Sequence, residues 1–443
     1  MKDLEEVLNC IGDFSCYISD KIVSFSGTLN NTEKDIVLRC NMGIERYREI
    51  NKCSPPNMWG NVNGIPVSLL DVQLSSALHR DEENCISLIF SPSEIVIGQN
   101  NLAELQVTQM SMSISALNYM FSKLPLQSVY NISKKHPSVL DYTFPDVIET
   151  DDRYGHLRIY QTFRLKSAHD KISYEFLPII EYHFYQPLEI MDAVARMAAV
   201  RNLFIFFANH YLPLENISFK CAEKKSEEGL RSREYVLYLN GREVIPIPQK
   251  PFLITTTAFS DKFEIVWNNW LKIYEEARYI PTLFYEIISN RSTGINRFLN
   301  LSQAVEVYSN RYRKESVLKV ARKREKTRSG RKPPIHLNHR FEDIFILLNP
   351  YLEIEENNIT IISKVLSDMR NFFTHYDEAK YIEPSYEKVF AAVHVLEFVL
   401  LAIVYHEIGI SSESIKSCKT SVQFQPFDEF VKVLTQNIRN EST

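Results

Sequence analysis

A chain of 443 residues, 45% hydrophobic and 24% charged, has the ordinary balance of a folded protein, and its length exceeds what one core usually supports, so two or three domains are expected. The formal net charge of -5 excludes a general electrostatic attraction to nucleic acid, so any affinity for RNA has to come from a local basic patch. Seven scattered cysteines with no C-x-x-C pair argue against both a disulfide framework and a cysteine-rich zinc site.

The opening Met-Lys-Asp-Leu-Glu-Glu lacks the apolar core of a signal peptide. The expected setting is a reducing cytoplasm with no membrane partner. From about residue 15 to 187 the signals are those of strands. Ile22 to Gly27 and Asp35 to Cys40 flank an Asn30-Asn31 turn, and Val67 to Leu74, Cys85 to Phe90, Glu94 to Ile97 and Leu105 to Ile114 follow. Leu157 to Lys166 alternates clearly, and Ile172 to Leu177 and Ile179 to Tyr185 continue the pattern. Many strands with short polar connections predict an antiparallel sandwich or barrel-like module.

Between Leu188 and His210 the apolar spacing becomes helical, and strand signals return at Tyr235 to Leu239 and Leu253 to Thr256. The expected fold class is α+β: a strand-rich region over residues 1–255, then an all-α region over residues 256–443. Helices are predicted at about 263–289, with a break at Pro281, and at about 296–313, 340–348 and 359–375. A last helix is predicted from Pro384 to His406, with Pro384 in its first turn. Its apolar stretch, Val389 to Tyr405, is interrupted by His394 and Glu397 and is short for a membrane span.

The helix at 359–375 carries the chemistry. Ile359, Ile362, Leu366, Met369, Phe372 and Phe373 form one buried stripe, flanked by Arg370, Asn371, Thr374 and His375. Arg370 stands one turn from Thr374, and Asn371 one turn from His375. On residues alone, Arg370 reads more readily as a solvated charge and His375 as a helix-terminal residue favoured by the dipole. A second feature is the run from Arg311 to Lys332, with eleven Lys or Arg against two acids and a local charge of +9. Such a run suits phosphate binding, here through Arg322, Lys323, Arg324, Arg328 and Arg331, or else is a solvated loop. His336 and His339 make an H-x-x-H pair that no nearby cysteine or acid cluster completes into a metal site, so they read as loop residues. His394 and His406 read as packing or capping groups. Neither a P-loop nor a G-x-S-x-G element is present, and no cofactor is expected.

In its helical setting, the R-N-x-x-x-H pattern of Arg370, Asn371 and His375 resembles the signature of HEPN-domain ribonucleases. The stretch Arg297-Phe298-Leu299-Asn300-Leu301-Ser302-Gln303-Ala304-Val305-Glu306-Val307-Tyr308 is similar to the opening helix of the HEPN domain in ApeA-like bacterial anti-phage proteins, and the strand-rich part before a helical part also looks like that family. The resemblance implies an abortive-infection endoribonuclease that cleaves RNA to a 2',3'-cyclic phosphate without a metal, with a phage-encoded trigger. Transfer RNA is a candidate substrate that nothing in these residues selects. In this reading His375 moves the proton, because an imidazole titrates near neutrality. Arg370 holds the scissile phosphate and Asn371 steadies the ring or a phosphate oxygen, while Glu306, on the polar side of its helix, either orders Arg370 by an ion pair or makes a surface salt bridge, both compatible with the resemblance. Five residues of ideal helix turn about 500°, which sets Arg370 and His375 roughly 140° apart. The resemblance resolves this by dimerisation, so an isologous homodimer or higher homo-oligomer is expected. The alternative is a non-catalytic HEPN-like module that binds RNA, a nucleotide or a protein.

Overall fold

Alternation of apolar and polar residues sends successive side chains to opposite faces of an extended chain, and the first half of the protein follows it. In the computed structural model the described residues are 2–18, 21–32, 35–53, 57–80, 85–98, 106–121, 126–127, 141–142, 147–168, 171–222, 234–239, 252–289, 294–324, 333–376 and 381–436. Helix α1 (Lys2–Val7) precedes β1 (Ile11–Ile18), β2 (Lys21–Asn31), β3 (Ile36–Gly43) and helix α2 (Ile44–Cys53). Strands β4 (Asn57–Val62), β5 (Ile65–Leu70), β6 (Gln73–Arg80), β7 (Cys85–Ser91), β8 (Glu94–Ile97) and β9 (Gln106–Ser113) follow. Next come β10 (Leu126–Gln127), β11 (Asp141–Tyr142), β12 (Ile148–Asp151), β13 (Gly155–Ala168), β14 (Lys171–Glu189), helix α3 (Ile190–Ala208), β15 (Glu215–Cys221) and β16 (Glu234–Leu239).

The chain forms two compact units. One comprises Met1–Asn118, Pro125–Ala198 and Pro213–Ile247, and the other Tyr119–Leu124, Ala199–Leu212 and Pro248–Thr443. Relative to a boundary near residue 255, the second unit thus also takes in two earlier segments, the longer of which contains the second half of α3.

In the first unit the expected strand-rich module is a single antiparallel ladder of fourteen strands, ordered β12-β13-β14-β9-β15-β16-β8-β5-β4-β1-β2-β3-β7-β6. The first eight strands enclose a core of Phe14, Phe25, Val62, Leu69, Leu88 and Phe90. They join the later strands where Val236 of β16 pairs with Ile97 of β8. The β2-β3 reversal lies at Thr32 and Asp35, one step beyond the predicted Asn30-Asn31, because Thr32 accepts and donates across it to Asp35. The two segments expected around Pro178 are one strand, β14. Pro178 is tolerated because β14 pairs with β9 only from Ile179 onward, so its missing N–H faces no second strand. Leu253 to Thr256 is not a strand. The Leu253 and Ile254 N–H groups both donate to Phe207 O, and Thr256 N–H donates to Met120 O, which ties this backbone to a helix end rather than to a ladder.

The second unit is helical, as its periodicity indicated: α4 (Phe263–Glu276), α5 (Tyr279–Ser289), α6 (Gly294–Tyr312), α7 (Lys314–Arg324), α8 (Leu337–Leu352), α9 (Glu356–His375), α10 (Tyr386–Ile408), α11 (Ser412–Lys419) and α12 (Phe427–Thr435). The α4-α5 break falls at Ala277, and Pro281 sits in the first turn of α5, where its lost donor costs no helical bond. Ser385 caps α10 by accepting from Lys388 N, leaving Pro384 just outside the helix. The basic run is helical over α7 rather than a loop, because Val317, Leu318 and Ala321 recur at helical spacing and are buried.

Helix α10 is the centre of this unit and packs against α4, α6, α8, α11 and α12. At 23 residues it is longer than its apolar stretch suggested, and by length and composition it could cross a membrane; 83% of its most apolar window is buried within the protein. Each fully buried Leu or Phe along it contributes roughly 1.5–3 kcal/mol relative to exposure. Beside it, Phe206 stacks on Phe284 at 4.1 Å and meets the edge of Trp270 at 5.3 Å, while the Trp270 indole donates to Ala199 O (2.9 Å).

Candidate active site

The predicted stripe is the buried face of α9: Ile359, Ile362, Leu366, Met369, Phe372 and Phe373 all lie inside. Phe373 meets Phe298 of α6 edge to face at 6.0 Å, which fixes α9 against the helix that carries Glu306. Arg370 is half-buried in this seam, and its guanidinium donates to Glu306 Oε2 at 3.4 Å. The ion pair with Arg370 that the sequence allowed is therefore present, with both side chains about one-third exposed (31% and 30%). In this setting its role is orientation, since partly solvated pairs add little stability.

Asn371 donates to the Tyr381 hydroxyl at 3.4 Å. Thr374 donates to Arg370 O one turn back (2.7 Å), so its hydroxyl is spent on the helix itself. The helix continues regularly through His375 and stops at Tyr376, whose left-handed backbone (φ 49°, ψ 37°) sends its N–H to Phe372 O. His375 is thus the last helical residue, exposed, and its ring has no hydrogen-bond partner among the described residues. Because the helix is continuous from Arg370 to His375, its regular geometry sets the two residues roughly 140° apart around the axis. The structure brings Arg370 to Glu306 and Asn371 to Tyr381. It does not bring His375 to either.

The basic candidates divide. Arg324 is bound by the buried carboxylate of Glu342 on α8 and donates to Thr360 Oγ1 of α9 (2.6 Å). The hydrogen bonds to Glu342 raise its pKa further above an already high value. Lys323 pairs with Glu356 at 3.3 Å on the surface, and Arg322 is exposed without an ion pair among the described residues. Arg328 and Arg331 lie outside the described residues. Arg313 makes a two-pronged bond to buried Asp343 (2.9 and 3.1 Å). Part of the run is therefore a clamp between α7 and α8.

Of the two histidines read as loop residues, His336 lies just before α8 as its N-cap and His339 is buried in its first turn, with the His336 N–H donating to His339 Nδ1 (3.3 Å). His394 sits between the rings of Phe390 and Phe430, and His406 Nδ1 meets the Tyr351 hydroxyl at 2.8 Å. Among the described residues no group of three His, Cys, Asp or Glu is placed to hold a metal ion.

One pair escaped sequence reading. Arg297, at the start of α6, reaches Glu397 Oε2 in the middle of α10 (2.6 Å), and Asn209 donates to the other oxygen (2.8 Å). The signal available was a single acid inside an apolar run, which needs a partner when buried.

Residues 9–270 match the family model described as ApeA N-terminal domain 1, and residues 299–414 match the one described as Apea-like HEPN. No curated protein and no solved structure gives a significant match.

Proposed function

This chain belongs to the ApeA-like anti-phage proteins with a C-terminal HEPN domain, and from that premise we propose that it is an endoribonuclease whose active site is assembled from Arg370, Asn371 and His375 of two α9 helices. The observation that carries the reading is the end of α9: an exposed histidine at the helix terminus, with an arginine held in place by Glu306 five residues earlier.

In the proposed reaction a histidine accepts the proton of a ribose 2'-hydroxyl as that oxygen attacks the adjacent phosphorus. The bond from phosphorus to the 5'-oxygen breaks, and a second imidazolium, from the other copy, protonates the leaving oxygen. The products are a 2',3'-cyclic phosphate and a 5'-hydroxyl. Arg370 neutralises charge on the phosphoryl oxygens, and Asn371 orients the phosphate or the ring. The geometry within one chain supports two copies, since Arg370 and His375 diverge on a straight helix. The surface beyond His375 is suited to a second copy, because Tyr376, Ile382 and Tyr386 are 67%, 80% and 83% exposed. The strand-rich unit then serves as the sensor of infection, and transfer RNA is the first substrate to try.

The test is cleavage of RNA by the purified protein, with chelator present, alongside His375→Ala and with the product ends identified. Loss of general acid-base catalysis should lower turnover by about 10²–10⁴-fold. Light scattering should show a dimer. Equal cutting by both proteins would remove His375 from the chemistry. Full-rate cutting by a strict monomer would remove the composite site.

A further inference from the structure

Two cations at the start of the basic run, Arg311 and Lys314, converge with a third from another helix. An open cavity of about 700 Å³ is bordered by Lys272 and Glu276 of α4, Asn310, Arg311 and Tyr312 of α6, and Lys314 at the start of α7, with Val307 as an apolar wall. Arg313, between two of these cations in sequence, is turned into Asp343. Among the described residues Lys272, Arg311 and Lys314 make no ion pair, and all three are exposed. Three cations thus face one carboxylate. That carboxylate, Glu276, accepts from the Tyr312 hydroxyl (3.3 Å). Burial, with Glu276 adding to it, pushes the Tyr312 hydroxyl up to about 12, so it remains a donor at neutral pH. The Tyr312 ring is further held by Tyr308 at 5.4 Å.

The position matters as much as the charge. Asn310 lies one turn beyond Glu306 on the same face of α6, about 6 Å along the axis. Glu306 is the residue that holds Arg370. The cavity therefore opens one helical turn from the carboxylate that holds Arg370.

We propose that this cavity is a binding subsite for the RNA strand next to the scissile bond. Arg311 and Lys314 hold one phosphodiester and Lys272 a neighbouring one. A fixed, half-buried tyrosine ring beside Val307 offers a base a stacking surface without selecting its identity. Asn310 supplies an amide for the 2'-hydroxyl or a base edge. The subsite rests on the ribonuclease reading for its substrate, but it is tested by binding.

The experiment measures the affinity of the full-length His375→Ala protein for a labelled single-stranded RNA oligonucleotide across a salt series. Lys272→Gln, Arg311→Gln and Lys314→Gln are then combined in that background. With all three cations neutralised, affinity should fall roughly 10- to 100-fold, and the slope of log affinity against log salt should shrink by about 2. An unchanged affinity and slope would overturn the subsite, as would failure of the unsubstituted protein to bind RNA. Glu276→Gln provides an arm that does not depend on the triple variant folding: removing the carboxylate that borders the cavity should tighten binding several-fold, and no change would count against the assignment. A mononucleotide that competes as well as the oligonucleotide would reassign the cavity to free nucleotides. If the triple substitution weakens RNA binding while His375→Ala protein still cleaves, the subsite stands and the catalytic role of His375 falls.

Discussion

Glu397 is a carboxylate at 6% exposure within the apolar stretch of α10, and its charge is acceptable only because Arg297 and Asn209 reach it. Removing one partner of such a pair leaves an uncompensated buried charge, whereas replacing both by apolar groups of similar size is close to neutral. Arg297→Ala should therefore destabilise the protein by about 3 kcal/mol. The pair Arg297→Met with Glu397→Leu should recover most of that loss in a thermal melt. At this scale the sequence was informative about motif residues and uninformative about their partners. Arg370, Asn371 and His375 share one short pattern, so local spacing reveals them. Arg324 has no such signature, because the Glu342 that engages it lies on another helix. A cation in a charge run looks the same whether it faces RNA or a buried acid.

Helix α10 ends at Gly409, whose φ of 85° lies in the left-handed region, and the following Ile410 N–H returns to Tyr405 O (2.9 Å). A Cβ there would meet nothing closer than 3.9 Å, so the cost of a side chain is conformational rather than steric. Gly409→Ala should lower stability by about 1–2 kcal/mol, read as a shift in denaturant midpoint with an unchanged slope. Elements with strong periodicity, such as α9, were legible because burial on one face imposes the pattern, and α10 because burial nearly all round leaves a long apolar run. The misread elements were decided by distant partners. Leu253 and Ile254 look extended, yet their donors go to Phe207. Strand β4 was missed because Asn57, Gly60 and Asn61 are poor strand formers, which the neighbouring strands β1 and β5 override by pairing on both sides.

At the scale of the molecule, the helical unit is not contiguous in sequence. Its core includes Ala199–Leu212, with Phe206 against Trp270 and Phe207 against Phe259 (5.0 Å). A fragment begun at residue 256, where composition changes, would lose these aromatic rings. That fragment should be insoluble or expanded, whereas one begun at Ala199 should give a cooperative unfolding transition by circular dichroism. Equal behaviour of the two fragments would mean that the α3 segment is dispensable. A deletion that tests the proposed sensor role of the strand-rich unit must therefore leave this segment in place. Length and composition indicated more than one domain; they could not indicate that one domain borrows a segment from within the other's stretch of chain.

The packing of α9 has a further consequence for the order in which the protein is made. Helix α9 leans on α12, which is synthesised about fifty residues later. A nascent chain that has just delivered His375 still lacks both α10 and α12, so the helix that bears the motif has no finished framework to hold it. A message broken within its last stretch yields a chain with the complete motif and no finished helical unit around it.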